Sequence, residues 1–134
     1  MSTNKQTILY AEDDADDVQL VNECFANYKD SIEIVHAPNG QEALELLNTL
    51  HAKGITPCLI ILDINMPVMD GKQVLVKLKN TPAYKDIPTV IFTTSSNKMD
   101  IAFATNWGAD FITKPLKFDE INTLAHEFSK RCKG

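Results

Sequence analysis

The sequence predicts an α/β fold in which helices cover both faces of one parallel, five-stranded sheet, a doubly wound arrangement. Short apolar runs alternate along the chain with segments whose apolar residues recur at spacings of three and four, as strands and helices do. Two of these runs, 58–62 and 89–92, are apolar without alternation, which is typical of strands buried on both faces. The chain has 134 residues, which gives room for one domain.

The predicted strands are bounded by residues that interrupt regular structure. Asn39 and Gly40 follow the second strand, Pro57 precedes the third, and Pro88 precedes the fourth. The third is the most continuous apolar run of the chain and therefore belongs near the middle of the sheet. The five predicted strands are 8–11, 32–35, 58–62, 89–92 and 111–113.

Each predicted strand is followed by a segment with one apolar helical stripe. In the first segment the stripe consists of Val18, Val21, Cys24, Phe25 and Tyr28. The later stripes lie within 43–50, 74–78, 99–107 and 118–128. Gly108 is a typical end for the fourth helix. Because strands and helices alternate strictly, the connections are predicted to be right-handed βαβ units.

Charge and hydropathy argue against several classes of protein. Eighteen acidic and thirteen basic residues give a net charge of −5, whereas a nucleic-acid-binding domain usually carries a basic face. No apolar run approaches the roughly 20 residues of a membrane helix, and residues 1–7 are polar, unlike a signal peptide. We therefore expect no nucleic-acid partner, no membrane partner and a cytoplasmic location.

The cysteines and histidines do not form a metal-binding pattern. Cys24, Cys58 and Cys132 are odd in number and widely spaced, without a CxxC pair. We expect three small buried thiols in a reducing compartment, and neither a disulfide nor a zinc site. The histidines are equally scattered, so we interpret them as surface or interface residues.

Polar residues that could carry chemistry stand at the ends of four predicted strands. Glu12 and Asp13 follow the first strand, Asp63 the third, Thr93 the fourth and Lys114 the fifth. Open α/β sheets bind ligands beyond the carboxyl ends of their strands, so these side chains should gather at one edge. Neither GxxxxGK[ST] nor GxGxxG occurs, which removes the main support for a nucleotide site.

This set of side chains fits the acceptance of a phosphoryl group. Three neighbouring acids repel one another, and a hard cation such as Mg²⁺ relieves that repulsion. An aspartate can attack phosphorus and form an aspartyl phosphate. Lys114 could then pair with one phosphoryl oxygen, and Thr93 could donate a hydrogen bond to another. Each residue also has a simpler interpretation; Asp14 or Asp16, for example, could simply cap the helix that follows.

With these residues in place, the sequence resembles a response-regulator receiver domain of two-component signalling. The likeness covers roughly residues 7–129, so residues 1–134 are expected to form a single receiver domain. It implies the flavodoxin-like strand order 2-1-3-4-5. The segments that carry it are ILYAEDD at 8–14, ILDINMPVMDG at 61–71, PTVIFTT at 88–94 and GADFITKP at 108–115.

The resemblance implies how the acidic residues divide their roles. Asp63 would be the phosphoacceptor. Glu12 and Asp13 would hold Mg²⁺ together with Asp63, and the backbone carbonyl of Asn65 would be a further ligand.

The resemblance also implies a switch. Thr93 would move toward the phosphoryl group and Lys114 would pair with it. Phe111 stands at the switch-aromatic position, where many relatives have tyrosine, and it lacks the hydroxyl. A cis peptide between Lys114 and Pro115 is implied as well. Phosphorylation would rearrange the loop at 94–98 and alter the face made by the fourth helix, fifth strand and fifth helix.

The implied partners are proteins. A histidine kinase or a histidine phosphotransfer protein would donate the phosphoryl group, and a downstream protein would bind the switched face. The protein would act as a monomer or as a phosphorylation-linked homodimer. The stretches DDADDVQL at 13–20 and FTTSS at 92–96 look like small receivers paired with phytochrome-type or other hybrid histidine kinases.

Three other functions are weighed against this one. A haloacid-dehalogenase-type phosphatase needs a general-acid aspartate two residues after its nucleophile, where this chain has Asn65. A non-phosphorylated docking module with a receiver fold would not need the site residues that are present. A flavodoxin-like cofactor carrier would need a first loop rich in Ser, Thr and Gly, whereas Glu12, Asp13 and Asp14 would repel a phosphate.

Overall fold

The computed structural model describes residues 5–94, 97–114 and 121–132. The strands are β1 (Gln6–Ala11), β2 (Ile32–Ala37), β3 (Leu59–Leu62), β4 (Thr89–Thr93) and β5 (Asp110–Thr113). The helices are α1 (Ala15–Cys24), α2 (Gly40–Ala52), α3 (Gly71–Lys79), α4 (Lys98–Asn106) and α5 (Ile121–Arg131). A short 3-10 turn at Ala26–Tyr28 follows α1. No described helix combines the length and the apolar character that crossing a membrane requires.

The sheet confirms the predicted doubly wound fold. Its five strands are parallel and stand in the order β2-β1-β3-β4-β5. One layer of buried residues packs α2, α3 and α4 against one face, and a second layer packs α1 and α5 against the other. The strands β3 and β4 are buried at every position, as their unbroken apolar sequences predict.

The element ends differ from the predicted ones by a few residues. The first helix ends at Cys24, and Tyr28 lies in the 3-10 turn instead of on a continuous helix. Thr93 is the last residue of β4, not the first residue after it. The side chain of Asp14 caps α1 by accepting from the backbone N–H groups of Asp16 and Asp17, which agrees with its interpretation as a cap.

The expectation of three free thiols is wrong. Cys58 and Cys132 form a disulfide bond, while Cys24 is a buried cysteine outside that bond. Cys58 stands just before β3 and Cys132 just after α5, so residues 74 positions apart meet at the amino-terminal edge of the sheet. Spacing along the chain could not reveal this pair, because the fold alone brings the two ends together. The cysteine-based argument for a reducing compartment therefore no longer holds.

The disulfide leads to a stability prediction. Closing a loop of this length removes chain entropy from the unfolded state, worth about 4 kcal/mol in the loop-entropy account. We expect reduction to lower the free energy of unfolding by up to about that amount in a urea titration. The variant Cys58→Ala/Cys132→Ala serves as the control, because its unfolding should not respond to the reductant.

The thiol count checks the same bond directly. Burial raises the pKa of the Cys24 thiol to about 11, so this thiol should react slowly until the protein unfolds. In denaturant without reductant, one reactive thiol per chain is expected. Three reactive thiols would show that the disulfide is absent.

Candidate functional site

The carboxyl edge of the sheet brings the predicted strand-end residues together. Ala11 on β1 pairs with Leu62 on β3, so Glu12 and Asp63 follow at the same level of adjacent strands. The backbone N–H of Asp63 donates to the carbonyl of Ala11, at 3.1 Å, which fixes this register. The sheet therefore delivers acids that are far apart in sequence to one place.

Three carboxylates form a compact cluster at this edge. Oxygen atoms of Glu12, Asp13 and Asp63 all lie within 4.8 Å of one another. Glu12 and Asp63 are buried, while Asp13 is exposed, so the cluster opens toward solvent on one side. Carboxylate oxygens in such a group are ligands that hard divalent cations prefer, so these residues could hold a metal ion.

The ammonium of Lys114 binds the buried acids directly. Its Nζ lies 2.8 Å from Oε1 of Glu12 and 3.1 Å from Oδ2 of Asp63. A third carboxylate, that of Asp17, lies at 2.7 Å. The Lys114 side chain is 5% exposed, and its Nζ lies 5.7 Å from the ring centroid of Phe92. One buried cation thus balances part of the negative charge at the edge.

The surroundings of Glu12 and Lys114 shift the pKa of both side chains. Burial and a hydrogen bond with Asp63 raise the pKa of the Glu12 carboxyl to about 7, while Lys114 acts in the opposite direction. Burial by itself would lower the pKa of the Lys114 ammonium. Hydrogen bonds to Asp17 and Glu12 outweigh burial and raise that pKa above the ordinary lysine value.

Asp17 was not among the predicted site residues. It belongs to the first turn of α1, and its carboxylate accepts a hydrogen bond from Lys114. Asp17 does not follow a strand directly but stands one helical turn later, so its place after the strand does not mark it as a site residue. The available signal was its spacing from Asp13 and Asp14, which places it on a new helix that starts at the same edge.

Two further contacts orient Glu12 and were also missed. The buried Tyr10 donates from its hydroxyl to Oε1 of Glu12 at 3.1 Å, and burial raises the pKa of this phenol. Nε2 of His36 lies 2.7 Å from the backbone carbonyl of Glu12. Neither contact has a signal in the sequence, because each depends on which neighbours the sheet supplies.

The loop between β3 and α3 holds the backbone of Asp63. A Cβ atom on Gly71 would lie 2.2 Å from the carbonyl oxygen of Asp63, so only glycine lets α3 start this close. The N–H of Gly71 donates to the carbonyl of Ile64 at 3.1 Å. The N–H of the exposed Asn65 donates to Oδ1 of Asp63 at 3.4 Å. The close approach of Gly71 and the hydrogen bond from Asn65 therefore restrict the position of Asp63.

Thr93 and Phe111 lie on neighbouring strands beside the cluster. Thr93 is fully buried, and its backbone carbonyl accepts from the N–H of Lys114 at 2.8 Å. Phe111 pairs with Ile91 and is half-buried against the core layer of α2, α3 and α4.

The predicted cis peptide before Pro115 lies outside the described residues, as do two residues, 95 and 96, of the predicted switch loop.

Comparison with known families adds an independent finding. A family model described as "Response regulator receiver domain" matches residues 8–126 of this chain. The matched range contains the acidic cluster, Lys114 and all five strands apart from the first two residues of β1.

The curated relatives include short regulators and larger proteins. Response regulator Rcp1 of Synechocystis is 34% identical over 75% of this chain and 69% of its own length. Probable methanogenesis regulatory protein FilR2 of Methanothrix harundinacea is 29% identical over 95% and 83%. A protein-glutamate methylesterase/protein-glutamine glutaminase of Methanococcoides burtonii is 40% identical over 78% of this chain, which spans only 29% of that enzyme.

The solved structures agree with these matches. The phosphorylated cyanobacterial phytochrome response regulator RcpA superposes with a TM-score of 0.85 at 31% identity, covering 94% of this chain and 92% of that one. The Mn²⁺-bound form of Rcp1 superposes with a TM-score of 0.81 at 28% identity, covering 93% and 92%.

The triple contact of Lys114 leads to a stability prediction. We expect Lys114→Met to lower the free energy of unfolding by about 3 kcal/mol at neutral pH without divalent cations, because it leaves buried carboxylates without their cation. Urea titrations measure the difference. Lys130→Met is the matched control, because Lys130 is half exposed and its pair with Glu127 is screened by solvent and should contribute little to stability. Equal losses in the two variants would contradict a stabilising role for Lys114.

Proposed function

Because this chain belongs to the response regulator receiver domain family of two-component signalling, we propose that it accepts a phosphoryl group on Asp63 and passes the signal on through protein contacts. The observation that carries this proposal is the position of Asp63. Its carboxylate lies within a cluster of acids that could hold a metal ion, and it also contacts the buried Lys114 ammonium. A nucleophile beside a buried ammonium and a site that could hold a cation suits the capture of an anionic group.

The proposed reaction transfers one phosphoryl group. A carboxylate oxygen of Asp63 attacks phosphorus, and an O–P bond forms while the P–N bond of a phosphohistidine breaks. The electron pair of the broken bond stays on the imidazole nitrogen of the donor. The donor is a histidine kinase or a histidine phosphotransfer protein, and kinases of the phytochrome type are candidates because RcpA is described as a phytochrome response regulator.

Mg²⁺ is the proposed cofactor. Glu12, Asp13 and Asp63 supply the carboxylates that would hold it, and the backbone carbonyl of Asn65 is proposed as a further ligand. The bound ion would offset negative charge on the transferring group. The donor set, all oxygen with one exposed carboxylate, fits a cation that keeps several of its waters. The Mn²⁺-bound structure of Rcp1 is in keeping with a divalent ion in this fold.

The proposed output is a change in the surface made by α4, β5 and α5. Thr93 ends β4 and Lys114 follows β5, so contacts of both with a phosphoryl group would pull on these elements. Phe111 lies on β5, upstream of Lys114, and would shift with this strand. The partner is a protein, neither a nucleic acid nor a membrane, and the chain acts as a monomer or as a phosphorylation-linked homodimer.

The remaining assignments complete the proposal. Residues 1–134 act as a single receiver domain with its core at about 7–129, and the proposed location is the cytoplasm. Its only chemistry is self-catalysed phosphorylation and dephosphorylation. The methylesterase activity in the name of a relative belongs to a protein of which this chain covers 29%, the receiver part.

Intact-mass measurement tests the phosphoacceptor. With Mg²⁺ and a small acyl phosphate, the wild-type protein should gain one phosphoryl group, and Asp63→Asn should gain none. A stable gain on Asp63→Asn would place the acceptor elsewhere. If neither gains mass, failure of beryllofluoride to bind the wild type would favour a docking module, and turnover of a generic phosphate ester that needs Asp63 would favour a phosphatase.

A calorimetric titration tests the metal assignment. We expect Asp13→Ala to weaken Mg²⁺ binding by at least about tenfold, since it removes the exposed ligand of the cluster. Asp16→Ala is the control, because Asp16 is exposed, carries the same charge and is not part of the cluster. Equal Mg²⁺ affinities of Asp13→Ala and wild type would refute the assignment.

A further inference from the structure

We propose that Asp17 is a positioning residue that holds Lys114 in the unphosphorylated protein and competes with the incoming phosphoryl group for its ammonium. The inference rests on the proposed function, because it concerns how readily Asp63 keeps a phosphoryl group. It adds a residue on α1 to a switch otherwise built from residues at the ends of the strands.

The Lys114 ammonium has as many carboxylate partners as it has N–H donors. A lysine ammonium has three N–H donors and no acceptor. The structure gives it three carboxylate partners, Glu12, Asp17 and Asp63, at 2.8, 2.7 and 3.1 Å. All three donors can therefore be engaged at once, and a phosphoryl oxygen can bind the ammonium only by replacing one of them or sharing its donor.

The three carboxylate partners of Lys114 differ in their burial. Glu12 and Asp63 belong to the acidic cluster, whose oxygens converge within 4.8 Å, and both are buried. Asp17 is not part of that cluster, and its side chain is 25% exposed. Its carboxylate can turn toward water at low cost, whereas a buried carboxylate cannot. Asp17 is thus the partner that can be exchanged for a phosphoryl oxygen.

The backbone of Asp17 is held by two contacts. Its backbone N–H donates to the Asp14 cap at 3.4 Å, and its carbonyl lies 3.4 Å from the hydroxyl of the buried Tyr10, which shares its one proton between this carbonyl and Glu12. The cap therefore holds the first turn of α1 locally, and the contact with Tyr10 ties it to β1. Only the side chain of Asp17 is free to move, so the contact with Lys114 can break without displacing the helix.

The consequence for the switch is directional. While Asp17 binds the ammonium, Lys114 must break this contact before it can bind a phosphoryl group. The net attraction between Lys114 and the phosphoryl group is therefore weaker. Asp17→Asn keeps the size of the side chain but removes the competing charge. The form that carries a phosphoryl group or its mimic at Asp63 should therefore become more populated. We expect Asp17→Asn to bind beryllofluoride, a phosphoryl mimic, about tenfold more tightly than wild type in the presence of Mg²⁺.

Matched variants separate this contact from general charge effects. Asp16→Asn removes the same charge from the adjacent position of α1, where the side chain is exposed and does not contact Lys114. Asp17→Glu keeps a carboxylate and should remain closer to wild type than Asp17→Asn. The affinity gained by Asp17→Asn beyond that of Asp16→Asn is the part attributable to the ion pair.

A lysine-selective nitrogen NMR spectrum supplies a readout that does not depend on the phosphoryl mimic. The Lys114 ammonium signal is identified by its loss in Lys114→Met. Without beryllofluoride, Asp17→Asn should shift this signal and Asp16→Asn should leave it in place. A role of Asp17 in helix stability alone would not produce that difference.

The outcomes distinguish the inference from the proposal beneath it. Tighter beryllofluoride binding with a shifted ammonium signal, both specific to Asp17→Asn, supports the inference. Equal affinities of Asp17→Asn and Asp16→Asn, weaker binding by Asp17→Asn, or an unshifted signal overturns the inference and leaves the proposed function intact. A wild type that neither binds beryllofluoride nor gains a phosphoryl group overturns the proposed function, and the inference with it.

Discussion

The buried ammonium of Lys114 is the interaction on which the carboxyl edge of the sheet depends. It contacts Glu12, Asp17 and Asp63 within 3.1 Å, so one positive charge stands among acids that would otherwise repel one another. The parallel register makes this possible. Ala11 pairs with Leu62, and the carbonyl of Thr93 accepts from the N–H of Lys114, so residues from four parts of the chain meet at one level.

Much of this arrangement follows from the sequence. Unbroken apolar runs predict buried strands, strict alternation predicts a parallel sheet, and a parallel sheet collects strand-end residues at one edge. Reasoning of this kind leads to the parallel sheet and to the acidic cluster of Glu12, Asp13 and Asp63, while the strand order is implied by the resemblance to receiver domains. It works because each step depends on local patterns and on rules that hold for all sheets of this class.

The parts that could not be predicted depend on side-chain reach or on the meeting of distant segments. Asp17 lies one helical turn beyond its strand end, and its role appears only when the position of the Lys114 ammonium is known. Cys58 and Cys132 stand 74 positions apart, and their wide spacing favoured free thiols. Their meeting requires that α5 return to the start of β3, and no local pattern specifies that.

The disulfide also divides the site along the chain. Residues 58–132 form one closed covalent loop that contains Asp63 and Lys114, whereas Glu12 and Asp17 lie on the open segment before it. A single protease cut inside the loop leaves every fragment attached, so the phosphoacceptor and its lysine stay in one covalent unit. A cut before Cys58 instead releases the segment that carries the other acids, and only packing in the sheet then retains it.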